Sequence, residues 1–496
     1  MYQKFLKNLF ILLALNLLIK PFWLLGIDRG VQNTVGASEY GFYFALLNFS
    51  FLFNILLDFG ITNYNNRTIA QNNNLIGKLF PGIFILKLAL FVVYLIFTLV
   101  GALVIDYTKQ QVSLLLLLAV NQLFMSMVLY LRSNLSGLQL FRTDGFLSVL
   151  DRLLMIILVG VLLWGQVVEE FKISYFVYAQ TVSHVITFLI TLAILMGKSG
   201  VKLSKIQINL PVMLVVLRQS FPFAVLVLIM TITSRADGVM IERILPDGTR
   251  YSGIYASAFR LLDASVQFAF LFAVLLLPMF ARMLSLKQQV GALAKIAFTL
   301  LIAPTITLVV GSYIYSHEIM ALLYPPYPGE TEGQFAARLL LSGPTFAILM
   351  VGLIGSASSY VFGTLLTANG NLKQLNIIAL AGLIVNLSLN FILIPLMKTE
   401  GAAIASLATQ WLVAGIQLVV VYRIFRFRIE PGYLYKFIIF VAGVGVIGFL
   451  STLLPWQWYI NIVLMALGSL SFGAAIRLFQ IRKLIQLIVA DEGSQT

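Results

Sequence analysis

The chain has 496 residues, 60% of them hydrophobic and 10% charged, with a formal net charge of +14 and no cysteine. Soluble domains are about a quarter charged, so this chain's solvent is mostly lipid, which excludes a large soluble domain. The missing cysteines exclude disulfides and thiolate metal sites, and the two histidines, His184 and His317, lie too far apart in sequence to suggest a metal cluster.

Apolar runs of the ~20 residues that cross a bilayer as a helix recur along the whole length. They are continuous and Leu/Ile-rich, unlike the alternating strands of an outer-membrane barrel. The fold class is therefore an all-α polytopic membrane protein. The first run, 6–27, follows Lys4 and Lys7 as a signal peptide would, but it is long and no small-residue cleavage pattern follows, so it reads as a retained span. Further spans are predicted at 40–61, 79–105, 112–131, 146–165, 173–197, 219–245, 252–281, 291–316, 336–367, 371–397, 401–422, 433–454 and 459–480, which makes fourteen. With the N-terminus inside, the inner loops and tails hold roughly three times as many Lys and Arg as the outer ones. Both termini are thus expected in the cytoplasm, and the net charge reflects topology, not nucleic-acid binding. The basic loops 197–220 and 422–436 read as interfacial segments in contact with membrane lipids.

A weak internal repeat organises these spans. "DRGVQNTVGASEYGFYFALLN" (28–48) and "ERILPDGTRYSGIYASAFRLLD" (242–263) each run from a charged turn to a Gly-x-Tyr that opens the next helix, at Gly41–Tyr43 and Gly253–Tyr255. "SGLQLFRTDG" (136–145) and "ANGNLKQLN" (368–376) form a second pair. The offsets are unequal, as an extra loop at 324–338 would produce. An even number of spans between repeats makes the halves parallel, an arrangement found in secondary transporters. The expected organisation is an N-lobe at 1–205, a C-lobe at 206–424, each of six spans, and a C-terminal pair with its tail at 425–496.

A few ionisable residues fall inside spans, where a charge costs about 2.5–3.5 kcal/mol on insertion scales and so faces the bundle interior. Lys20, Arg235 and Arg260 each lie about eight to ten residues from the outer ends of spans 1, 7 and 8, roughly 12–15 Å deep. Three cations at one depth suggest an anion-binding cavity; the alternative is a set of interhelical salt bridges. Arg260 and Asp263 share a helix face and can pair locally. Arg235 and Asp237, two residues apart, point to different sides and cannot neutralise each other in a regular helix. Lys87, Asp151 and Arg152 lie nearer the cytoplasmic side, Lys87 able to snorkel, and His184 reads as hydrogen-bonded core. Intramembrane carboxylates often carry coupling ions, so Asp58, Asp237 and Asp263 are candidates for H+ or Na+ coupling or for charge partners. No GxxxxGK[ST] loop for ATP is present, no metal site or other cofactor is expected, and nothing marks an enzyme.

Five stretches, "VGASEYGFYF" (35–44), "SRADGVMIE" (234–242), "YSGIYASAFRLLD" (251–263), "LLTANGNLK" (365–373) and "NLSLNFILIP" with "TEGAAIASLATQ" (386–395 and 399–410), together resemble the Wzx-type flippases for lipid-linked oligosaccharides. These polysaccharide and O-antigen transporters share a superfamily with multidrug exporters and lipid II flippases. The resemblance covers nearly the whole chain through the order and spacing of short motifs. It implies an undecaprenyl-diphosphate-linked glycan as cargo, moved across the bacterial cytoplasmic membrane by alternating access for surface polysaccharide biosynthesis. It also implies a basic cavity, with Arg235 and Arg260 at matching positions and Lys20 and Arg29 on and just beyond span 1, and other polysaccharide-assembly membrane proteins as candidate partners. Alternatives are a lipid II flippase or a cation-coupled multidrug exporter, and then a membrane glycan polymerase or ligase.

Overall fold

The computed structural model describes residues 18–19, 21–199, 210–427 and 430–479. Lys20, most of the first predicted span and the 205/206 lobe boundary lie outside them. The described residues form α-helices and no strand: α1 (Arg29–Leu52), α2 (Ile61–Gln71), α3 (Ile76–Val104), α4 (Lys109–Gly137), α5 (Phe141–Trp164), α6 (Ile173–Ser199), α7 (Leu210–Ile244), α8 (Gly248–Ser285), α9 (Gly291–Ile314), α10 (Ser316–Leu323), α11 (Glu332–Ala368), α12 (Leu372–Phe425), α13 (Pro431–Thr452) and α14 (Trp458–Ala475). A bilayer offers the backbone no water, so each apolar run must satisfy its own N–H and C=O groups, and a helix does so within one segment. Thr108 and Thr331 start α4 and α11 with capping boxes completed by Gln111 and Gln334.

Eleven of the described helices are long and apolar enough to cross a membrane, against fourteen predicted spans. Predicted spans 371–397 and 401–422 form the single 54-residue α12, broken at Lys398 (φ 53°, ψ −126°) just after Pro395. Predicted span 40–61 falls on α1, which is too polar to be counted. The first span is mostly undescribed. One boundary differs in kind: residues 28–35, expected as a charged turn, are helical, because a π-helical turn at Trp23–Asp28 runs straight into α1. The break comes only at Gly36, whose φ of 81° and ψ of 175° suit a residue without a Cβ.

The helices divide into two compact units, residues 1–256 with 327–329, and residues 257–326 with 330–496. In the first unit α2 to α6 enclose a core that includes Ile69, Phe80, Tyr130 and Leu135. The Tyr130 hydroxyl donates to the Phe80 carbonyl at 3.1 Å while the two rings stack. In the same unit α1 meets the first turns of α8 backbone to backbone. A Cβ built on Gly41 would lie 1.8 Å from the Thr249 carbonyl oxygen, and one on Gly253 1.9 Å from that of Ala37. The two glycines of the Gly-x-Tyr repeat thus face each other's helix, the close approach that small residues permit between membrane helices.

In the second unit α11 packs along α12, where a Cβ on Gly355 would come within 2.8 Å of the Gln410 backbone. The Tyr315 hydroxyl at the end of α9 meets Ser451 Oγ of α13 at 2.7 Å. Arg338, fully buried, holds the 324–331 loop by bonds to the Tyr324 and Pro325 carbonyls and to Glu330. Gly253→Ala is expected to lower the melting temperature of the purified chain, at a cost of about 1–3 kcal/mol for overpacking. Gly445→Ala, where an added Cβ meets nothing within 4 Å, is expected to leave it unchanged or raised; equal melting of the two variants would remove the crossing's importance.

Candidate functional site

The first unit carries the end of span 1, the start of α1 and the polar centre of α7. Asp28 closes the π-helical turn and is 3% exposed; its Oδ2 accepts the Tyr40 hydroxyl at 2.8 Å. Arg29 follows, half-buried, with its Nε enclosed and without a hydrogen-bond partner. One turn further, the buried Gln32 donates from Nε2 to the Gly253 carbonyl at 2.8 Å and to the Tyr327 hydroxyl at 3.3 Å, leaving its own Oε1 without a hydrogen bond. π-Helical turns interrupt the regular hydrogen-bond ladder and are frequent at functional sites. Here the turn sits directly before Arg29.

Arg235 stands at the middle of the candidate span Ala224–Ile244, half-buried, its guanidinium 5.1 Å from the centre of the Phe51 ring. Asp237 is 1% exposed and accepts the Tyr255 hydroxyl at 2.7 Å. The helix is regular here, so two residues turn the side chains to different sides, as the spacing predicts. Gly238 follows, and a Cβ on it would meet Asn48 and Phe44 of α1 at 2.7 and 2.8 Å. The Gly-x-Tyr tyrosine of the second repeat therefore orients the acid of "SRADG". Its counterpart Tyr43 accepts from Gln180 Nε2 at 2.7 Å.

Asp58 is half of an ion pair. Lys87 Nζ lies 2.6 Å from its Oδ1, and the Thr62 hydroxyl and backbone N–H also donate to it. Lys87 is 1% exposed and does not snorkel; it turns inward, 5.8 Å from the centre of the Tyr130 ring. His184 is buried core, but not hydrogen-bonded as expected: neither ring nitrogen has a hydrogen-bond partner, and its Nε2 is 3.9 Å from Asp151 Oδ2, which lies 3.8 Å from Arg152 Nε. Arg152 in turn lies over Trp23 of the π-helical turn. These partners escaped a reading of spans one at a time. The available signal was opposite charges at similar depth in neighbouring spans, Asp58 with Lys87.

At the far end of α7, Gln111 Nε2 donates to Glu242 at 3.0 Å and Arg243 lies 4.3 Å over the Tyr107 ring. Burial, and then the Glu242 carboxylate, push the Tyr107 phenol above its ordinary pKa, so it stays neutral beneath the guanidinium. Arg260 and Asp263 belong to the second unit, half-buried on α8, with Asp263 within electrostatic reach of the Tyr360 phenol. Lys20 lies outside the described residues. Among the described residues no group of three or more His, Asp or Glu could hold a metal ion.

Residues 5–284, more than half of the chain, match the family model described as polysaccharide biosynthesis protein. A search of curated proteins returns no match. The fold is similar to that of the lipid II flippase MurJ in an inward closed conformation (TM-score 0.72, 16% identity, covering 94% of this chain and 98% of that one). It is also similar to an inward-facing multidrug resistance MATE family transporter of the MOP superfamily (0.64, 13%, 81% and 94%). The Vibrio cholerae MATE transporter VcmN gives 0.59 at 15% identity, covering 85% and 97%.

Lys87→Met, which strands Asp58 without its cation, is expected to destabilise the chain by about 3–5 kcal/mol. Replacing both partners, Asp58→Leu with Lys87→Met, is expected to recover most of that loss in the same thermal melt. A single variant as stable as the wild type would mean that the pair holds nothing.

Proposed function

The chain belongs to the polysaccharide biosynthesis protein family, and from that premise we propose that it is a flippase moving an undecaprenyl-diphosphate-linked oligosaccharide across the cytoplasmic membrane by alternating access. The single observation that carries the reading is Arg235, a cation held at the centre of its span against an aromatic face instead of reaching for an end. A permanently charged guanidinium at that depth is costly and suits a ligand that brings two or more negative charges and planar bidentate acceptors, as a diphosphate does. Arg29, with its enclosed Nε, extends the same chemistry within the first unit; Lys20, and Arg260 in the second unit, are proposed as further anion-binding cations.

The reaction needs no bond made or broken in the cargo. The cations supply a binding site for the headgroup while the lipid tail stays in the bilayer. Asp237 and Asp263 are proposed as charge partners or as sites for a coupling H+ or Na+, whereas Asp58 enters any such role already paired with Lys87. A second reading, lipid II as the cargo, is favoured by the likeness of the fold to a lipid II flippase over 94% of this chain. It places the same demand on Arg235, since both cargoes share the diphosphate.

The test is made in a strain lacking its own copy, with surface glycan as the readout. Arg235→Ala and Arg260→Ala are expected to reduce export at least tenfold at normal membrane levels, and Arg235→Lys to keep part of it. Undiminished export by correctly inserted Ala variants would rule out the cationic cavity. Rescue of lipid II flipping in place of glycan export would move the cargo to the second reading.

A further inference from the structure

The second unit holds a cavity of about 1500 Å³ that is separate from every residue discussed so far as a cargo or coupling site. Its walls are α9, α11, the second half of α12 and the start of α13. Phe298, Phe362 and Phe437 form a continuous aromatic face, at centroid distances of 5.4 and 5.8 Å, and Tyr433 continues it at 6.1 Å. Trp411, half-exposed, borders the same space. The volume exceeds the roughly 300–1,000 Å³ of ordinary small-molecule pockets.

Its polarity is confined to one end. Among the described lining residues the charged ones are Lys295, Arg426 and Glu430. Lys295 Nζ is 2.7 Å from Glu430 Oε2 and 4.5 Å from the centre of the Tyr433 ring. Lys295 and Glu430 therefore cancel. Arg426, exposed and left-handed (φ 46°) just past the end of α12, gives the described lining residues one positive charge in excess. This end also carries Gln288 and Gln289 and belongs to the side where the Lys- and Arg-rich loops gather. Basic pockets between membrane helices on that side are suited to anionic lipid headgroups.

We propose that this cavity binds one anionic phospholipid of the surrounding leaflet, its phosphodiester at Arg426 and Lys295 and its acyl chains along the aromatic face. The charge decides the occupant. One net positive charge complements a single phosphodiester, whereas a diphosphate would bring at least one negative charge in excess, beside Glu430. A zwitterionic lipid would leave Arg426 uncompensated. Bound there, the lipid fills the space between α13 and the body of the second unit and fixes where that helix stands.

The experiment uses the full chain, purified in detergent and delipidated, with phosphatidylglycerol and phosphatidylethanolamine as probes and undecaprenyl phosphate as competitor. Native mass spectrometry is expected to show one phosphatidylglycerol retained per chain, about fivefold or more in preference to phosphatidylethanolamine, and a higher melting temperature with it. Arg426→Gln is expected to erase that preference. Gly415→Phe, at a lining position where an added Cβ meets nothing within 4 Å, is expected to abolish retention without lowering the lipid-free melting temperature. Because Arg426 is on the surface, its variant decides the matter even if Gly415→Phe disturbs folding. Equal retention of the two phospholipids, or an unchanged preference in Arg426→Gln, overturns the proposal. So does displacement of phosphatidylglycerol by undecaprenyl phosphate at lower concentration, which would make the cavity a seat for the polyprenyl chain that the cargo also carries.

Discussion

The arrangement of the first unit depends on one helix crossing, in which α1 and the opening of α8 touch through their backbones at Gly41 and Gly253. No side chain longer than hydrogen fits there, so the two helices lie closer than any apolar packing would bring them. At that distance Gln32 reaches the Gly253 carbonyl, and Tyr255, two residues on, hydrogen-bonds Asp237. In hydrocarbon, where lipid tails compete equally with apolar side chains, such close packing and interhelical hydrogen bonds are the main forces left to hold helices together.

Several of the ionisable groups are paired by the protein itself. Lys87 and Asp58 are one such pair, and Arg338 and Glu330 in the second unit are another. In each case both charges are removed from lipid, and the pair's worth lies in what its disruption would expose rather than in net stabilisation. Arg235 differs in its surroundings: its guanidinium lies against the Phe51 ring, a cation–π contact of the kind that stabilises a guanidinium inside a membrane protein. It stands nine residues before the C-terminal end of α7.

The helical layout was legible because transfer energy alone decides it: runs of Leu, Ile and Phe long enough to span a bilayer have no other stable form. The two-sided placement of Arg235 and Asp237 was legible for a similar reason, since helix geometry dictates it. The continuation of helix through Gln32, Asn33 and Thr34 was not. Those residues resemble a turn in composition, but Gln32 is buried in the first unit, where it hydrogen-bonds the Gly253 carbonyl, and the chain breaks only where Gly36 allows it. Charge pairing was also invisible. Hydropathy records that Lys87 is costly, and nothing in its own span says that Asp58 waits in the turn before α2. Nor does the sequence say that the buried Asn386 and Asn390 meet along one helix, with Asn390 Nδ2 donating to Asn386 Oδ1 at 3.2 Å.

The one-residue break in α12 carries a consequence for how the chain enters its membrane. Fifty-four residues of straight helix would measure about 80 Å, far more than the ~30 Å of hydrocarbon. Reversal at Lys398 lets the two arms lie side by side, with a Cβ on Gly382 only 2.7 Å from the Val413 side chain. With one residue as the joint, neither arm has a loop to be held in while the other is threaded. So short a joint favours entry of the two arms together, as a hairpin. Biogenesis of this unit is thus a pairwise event, written into the chain by a single left-handed lysine.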